Sequence, residues 1–212
     1  MSTPAGPVTL ASKDFLSVLD LAPAELDRLL ADMLTLQERL GSLAGRTLAY
    51  VGDGNNVATS LAQAGAMLGL HLRLASPPGF ELPAAVLDAC ARVARHGATL
   101  TVTNDPRAAV EGADAVYTDV WASMGQEQEA AARARIFQPF QVNASLMRAA
   151  SPRAVFMHCL PAHRGIEVTD DVMDSPASAV FDQAENRLHA QKALLTLIMG
   201  GDAPGSRAVQ SR

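Results

Sequence analysis

An α/β fold, with a parallel sheet covered by helices on both faces, is what this 212-residue sequence predicts. Three observations predict it. Short runs that are apolar at successive positions alternate with longer runs of helical periodicity, the pattern of strand–helix–strand units. The short runs lack the in–out alternation of a half-exposed sheet, so both of their faces are buried. Finally, 49% of residues are apolar and 18% charged, enough for a core on two sides and too few charges for a disordered chain.

The elements follow in order. Pro23-Ala24-Glu25 opens a helix whose leucines and methionine (Leu26, Leu29, Leu30, Met33, Leu34, Leu36, Leu40) recur at helical spacing, and Gly41 and Gly45 end it. Thr47 to Val51 reads as a buried strand, and the turn Gly52-Asp53-Gly54-Asn55-Asn56 leads into a helix from Val57 to Leu68. Strands are expected at 71–75, 98–102, 115–120 and 154–158, with a last one at Ser178 to Phe181. Helices are expected at 82–95, 106–111 and 126–135, with a closing helix from Ala184 to Met199. The first dozen residues read as frayed and residues 201–212 as a disordered tail. Right-handed crossovers make this a doubly wound, Rossmann-like sheet. Ligands in such folds sit beyond the carboxyl ends of the strands, which points to the loops after Val51, Val120 and His158.

Several classes are disfavoured. Seventeen Lys and Arg against 22 Asp and Glu give a net charge of −5, a poor match for nucleic acid or an anionic membrane surface. The two cysteines, Cys90 and Cys159, are far apart and form no CxxC pair, so neither a disulfide framework nor a zinc ribbon is expected, and a reduced, cytoplasmic setting is. The N-terminus lacks the pattern of a signal peptide, and the longest uncharged run, Gly54 to Leu72, is too polar to span lipid.

The three loops differ in what they offer. Gly52-Asp53-Gly54-Asn55-Asn56-Val57 has two glycines of a dinucleotide fingerprint, but Val57 stands in place of the third, and the next strand carries no acid for a ribose. The plain reading is a tight turn with an Asn cap; paired amides at a helix N-terminus also suit a carboxylate. After the strand near Val120, Asp119 and Ser123 can grip an ammonium group, or Asp119 can cap the helix that follows. In the third loop Cys159 is either a nucleophile or a buried apolar thiol; its neighbour His158 points to the other face of a strand, which disfavours a covalent thiol mechanism. Arg187, with Glu185 and Asn186 at the start of the last helix, can offer a fork of donors to an anion or pair on the surface with Glu185 or Asp182.

The strings GDGNN, TDVWASMGQE, FQPFQVN, FMHCLPAHRGIEVTDDV and VFDQAENRLHAQKALL together resemble the ornithine carbamoyltransferase family, and the match runs from about Ala31 to Gly200. Its SMG loop separates the resemblance from aspartate carbamoyltransferases. The resemblance implies transfer of a carbamoyl group from carbamoyl phosphate to the δ-amine of ornithine, giving citrulline and phosphate. It implies that Asn56 binds the ornithine carboxylate, that Asp119 and Ser123 take the α-ammonium, and that Met124 adds a backbone contact. Cys159, the catalytic position, and Leu160 would meet the reacting amine and carbamoyl group, and Arg187 would hold carbamoyl phosphate. No cofactor or metal is implied, and the partners are the two small substrates. Family members are homotrimers.

The sequence departs from the family in one respect. Neither the S-T-R-T-R loop nor the H-P-x-Q segment of the family's carbamoyl-phosphate domain is found, and the arginines before Gly52 are Arg28, Arg39 and Arg46. Residues 1–30 thus read as a residual helix of that domain and 31–200 as the ornithine-binding domain, with the trimer-forming part largely missing and turnover impaired. The alternatives are a non-catalytic ornithine-binding module and, less well supported, a nicotinamide oxidoreductase; putrescine or N-acetylornithine are alternative acceptors.

Overall fold

The computed structural model describes residues 23–122 and 130–199. Its elements are α1 (Pro23–Leu40), β1 (Thr47–Val51), α2 (Asn56–Leu68), β2 (His71–Ala75), α3 (Ala84–Val93), β3 (Thr99–Thr103), α4 (Pro106–Val110), β4 (Ala115–Thr118), α5 (Ala130–Phe137), α6 (Ala144–Met147), β5 (Val155–His158), α7 (Asp170–Met173) and α8 (Val180–Met199). The five strands pair in parallel in the order β3-β2-β1-β4-β5. The chain builds outward from β1 to β3 and then returns to place β4 on the other side of β1, so strand order reverses between β1 and β4. Crossovers on either side of that point leave a crevice at the strand ends.

The strands show why both faces need cover. Leu48 and Tyr50 of β1 pack into one apolar cluster, with α1 and α2 residues such as Leu36 and Leu61. Ala49 and Val51 pack into a second, with Val110, Phe140, Leu146 and Val172 from the opposite side. Successive strand residues point to opposite faces, so every position of a doubly covered strand is apolar. Helix α2 lies close on β2: a Cβ at Gly65 would fall 2.3 Å from Leu72 Cδ1.

Several expectations need correction. Ser178 to Phe181 is not a strand. Ser178 forms one isolated bridge to Phe156, and Val180 already begins α8. One rung is too little pairing to hold an extended segment against a helix whose periodicity starts there. Arg187 consequently lies inside α8 and not at its start. Helix α5 is described from Ala130, and the expected helix residues 126–129 lie outside the described ones, as do the expected frayed N-terminus and the tail 201–212. The short helices α6 and α7 were not expected; at four residues each they are too brief for periodicity to reveal. Helix α1 runs unbroken through the 30/31 junction and packs along α8. Phe181, Leu188 and Leu195 form an exposed apolar stripe on α8. No described helix is long and apolar enough to cross a membrane.

Two outcomes follow from this packing. Phe156 on β5 is fully buried, so Phe156→Ala should lower unfolding free energy by about 3–5 kcal/mol in urea titration, through lost transfer energy and a residual cavity. The two tyrosines of the chain, Tyr50 and Tyr117, are both fully buried. Burial foremost, then nearby acidic groups, raises both phenols well above 10. Their contribution to stability is complete below the ordinary value of 10.0 and falls as pH climbs above it, by about 1.4 kcal/mol per tyrosine per pH unit. In an alkaline titration phenolate absorbance should therefore appear together with loss of far-ultraviolet circular dichroism, not before it.

Candidate functional site

The loops after β1, β4 and β5 meet at the carboxyl ends of adjacent strands. In the first, Asn55 caps α2: its Oδ1 accepts from Val57 N at 2.9 Å and Ala58 N at 3.1 Å. That leaves the amide nitrogen to point outward, where Nδ2 donates to Asp119 Oδ2 at 3.0 Å. Asn56 is the first residue of α2 and is exposed. The capping reading of this turn therefore applies to Asn55, and the residue reaching across to the second loop is Asn55 as well.

Asp119 follows β4 and is 6% exposed. The start of the helix it was expected to cap lies outside the described residues; its other oxygen accepts from the Cys159 thiol at 3.1 Å. Amide and thiol donors, with the positive end of α2 behind Asn55, suit a carboxylate anion held largely out of water. Thus the structure brings Asp119, Cys159 and the Asn55-Asn56 turn together. Ser123 and Met124 lie outside the described residues.

The third loop is shaped from beneath. Leu160 N donates to His158 Nδ1 at 2.9 Å, so that nitrogen carries no proton and Nε2 does. Nε2 faces the Glu167 carboxylate at 3.3 Å, with both side chains wholly buried. Glu167 also accepts from His163 N, closing the loop on itself. Leu160 takes a left-handed conformation, φ +53°, which is uncommon for a bulky residue and costs about 1–3 kcal/mol. Cys159 and Leu160 line a small cavity of about 10 Å³ with Asp32, His158, Gln183, Ala184 and Arg187. Arg187 Nε is buried with no hydrogen-bond partner among the described residues.

Asp119, His158 and Cys159 each place one potential ligand atom within 4.8 Å of the others. Part of this donor set is engaged in hydrogen bonds. The imidazole Nδ1 accepts from the Leu160 N–H, the other ring nitrogen stands 3.3 Å from Glu167, and the Cys159 thiol donates to Asp119. A cation bound here would compete with the Cys159–Asp119 and Leu160–His158 hydrogen bonds.

Several contributing residues carry no sequence signal. Buried Asp32 of α1 accepts from Tyr117 Oη at 2.9 Å and from Gln183 Nε2 at 2.6 Å, and Gln183 Oε1 accepts from His158 N at 3.0 Å. Arg133 bonds the carboxylate of Asp53 and the carbonyl of Trp121. Burial raises the Asp53 carboxyl above its ordinary value, and Arg133 opposes that rise. Asp32, Arg133 and Gln183 sit on helices where a polar residue reads as surface; only the fold shows that they face inward.

Comparison with known proteins agrees with this geometry. Residues 44–198 match the family model described as "Aspartate/ornithine carbamoyltransferase, Asp/Orn binding domain". An ornithine carbamoyltransferase of Symbiobacterium thermophilum is 60% identical over 173 residues, which is 81% of this chain and 56% of the relative. A solved ornithine carbamoyltransferase from Pyrococcus furiosus superposes with a TM-score of 0.79 at 54% identity, covering 84% of this chain and 57% of that one. A solved N-acetyl-L-ornithine transcarbamylase superposes with a TM-score of 0.71 at 34% identity, over 81% of this chain and 55% of that one. The chain thus spans little more than half the length of the relatives it matches. With the sheet order, the three converging loops and a match over residues 44–198 in agreement, the chain belongs to the aspartate/ornithine carbamoyltransferase family, of which it carries the amino-acid-binding domain.

Proposed function

We propose that this chain supplies the ornithine half of an ornithine carbamoyltransferase, the enzyme that converts carbamoyl phosphate and L-ornithine to L-citrulline and phosphate. The observation that carries the reading is Asp119, a nearly buried carboxylate held by Asn55 and Cys159 with no described cation paired to it. Such a group suits the ammonium of an amino acid. On this reading Asn56 takes the ornithine carboxylate, Asp119 and Ser123 take the α-ammonium, and Met124 adds a backbone contact. Cys159 and Leu160 meet the δ-amine as it attacks the carbamoyl carbon. The carbon–oxygen bond to phosphate breaks, phosphate departs, and the amine loses a proton. Arg187, with its unpartnered Nε in the cavity beside Cys159, faces carbamoyl phosphate. Catalysis is then positioning and charge stabilisation. Residues 1–30 form the remnant of the carbamoyl-phosphate domain and 31–200 the ornithine-binding domain. The setting is the cytoplasm.

The sequence holds neither S-T-R-T-R nor H-P-x-Q, so by itself it offers one arginine, Arg187, where a phosphate dianion needs a cluster. That favours a second reading, an ornithine-binding module without turnover of its own. Calorimetry with L-ornithine should give saturable heat at millimolar ligand, with weaker heat for N-acetyl-L-ornithine; no heat from either would end both readings. Asp119→Asn should keep the fold and weaken ornithine by about 2 kcal/mol, roughly thirtyfold. In a citrulline assay with carbamoyl phosphate, turnover should be far below that of a full-length relative. Equal turnover would show that the phosphate-binding groups lie within these residues.

A further inference from the structure

Arg133 touches none of the groups assigned to substrate, yet it is 7% exposed on α5. A guanidinium taken out of water needs an opposing charge and acceptors for its fork of donors. Both come from the strand-end loops. Nη2 pairs with the Asp53 carboxylate in the loop after β1, and Nε donates to the Trp121 carbonyl in the loop after β4 at 2.5 Å. Asp53 is two positions from Asn55, and Trp121 is two positions from Asp119. The planar cation also lies near two rings, with Cζ 4.8 Å from the Phe80 centroid and 5.2 Å from that of Phe137. Phe80 is tied back to the first loop, because Gly54 N donates to its carbonyl at 2.7 Å. A Cβ at Gly54 would meet backbone atoms of residues 80–82 at 2.6–2.7 Å, so the turn is seated without slack.

We propose that Arg133 is a positioning residue for the amino-acid site: by holding Asp53 and the Trp121 carbonyl at once, it fixes the Asn55-Asn56 turn against Asp119 and thereby sets the affinity for ornithine. The choice of ligand rests on the function proposed above. The same contact sorts two neighbouring carboxylates that repel each other. Asp53 is neutralised by Arg133, and Asp119 is left for the cation of the ligand.

Trp121 is the single tryptophan of the chain, so its fluorescence reports on this junction directly. Arg133→Met and Arg133→Lys are compared with the unaltered chain by circular dichroism, Trp121 emission, the rate of Cys159 alkylation read by mass spectrometry, and ornithine calorimetry. Arg133→Met should keep its circular dichroism, shift Trp121 emission to the red, speed Cys159 alkylation and weaken ornithine roughly tenfold. Arg133→Lys keeps a cation for Asp53 but lacks the fork that reaches Trp121, and should fall between the two. A folded Arg133→Met with unchanged Trp121 emission and Cys159 alkylation overturns the proposal, as does a shifted emission with unchanged ornithine affinity. If Arg133→Met does not fold, Arg133→Lys decides by the same readouts. An unaltered chain that binds no ornithine overturns the function proposed above, and the Trp121 and Cys159 readouts then decide the role of Arg133.

Discussion

A carboxylate 6% exposed at the end of β4 is the constraint around which the rest of the rim is arranged. Asp119 has no described cation beside it, so its charge is met by dipoles and hydrogen bonds: the Asn55 amide from one side and the Cys159 thiol from the other. Each donor is itself fixed by the fold. Asn55 cannot rotate away without uncapping α2, because its oxygen accepts from two helix N–H groups. Cys159 is aimed by the turn behind it, where Leu160 is held left-handed by the His158 imidazole and that imidazole stands against buried Glu167. The strand order places all three loops side by side.

Two kinds of chemistry therefore share one small region. The outward groups, Asp119, Cys159 and the Asn55-Asn56 turn, meet at the strand-end rim. The inward groups form a second set: Asp32, Tyr117, Gln183 and the His158 backbone are joined by hydrogen bonds, and the His158 imidazole stands 3.3 Å from the Glu167 carboxylate. Arg187 Nε is buried beside them, in the wall of the small cavity, with no acceptor among the described residues. An orphan donor at a cavity wall is costly unless a ligand supplies the missing oxygen.

Much of this was legible in the sequence, and the reasons are physical. A doubly covered parallel strand must be apolar at every position, so Thr47–Val51 and Val155–His158 stand out against polar turns. The polar residues crowded into the strand-end loops marked the rim, and Asp119 and Cys159 were found there and lie in contact. What stayed hidden depends on tertiary contact. Asn55 and Asn56 are adjacent and chemically identical, and only the helix start decides which one caps and reaches Asp119. Arg133 lies in Ala-Ala-Arg-Ala-Arg-Ile-Phe, a stretch that reads as an exposed helical face until Phe80 and Asp53 are brought to it from far along the chain. The segment at Ser178, expected as a strand, makes a single parallel bridge to Phe156 before α8 begins at Val180.

The topology also dictates an order of assembly. β1 finds β2 after one short crossover, but its other neighbour, β4, is built far later: Thr118 Oγ1 reaches Val51 O across 67 positions. Closing a span of that length is entropically expensive and slow, and parallel pairing offers no hairpin shortcut. During synthesis β1, β2 and β3 can therefore gather while one side of β1 stays open, and β4 and β5 close it only when they emerge. A nascent chain that stalls before β4 is therefore a half-sheet in which the strand destined for the centre, β1, still has a bare edge.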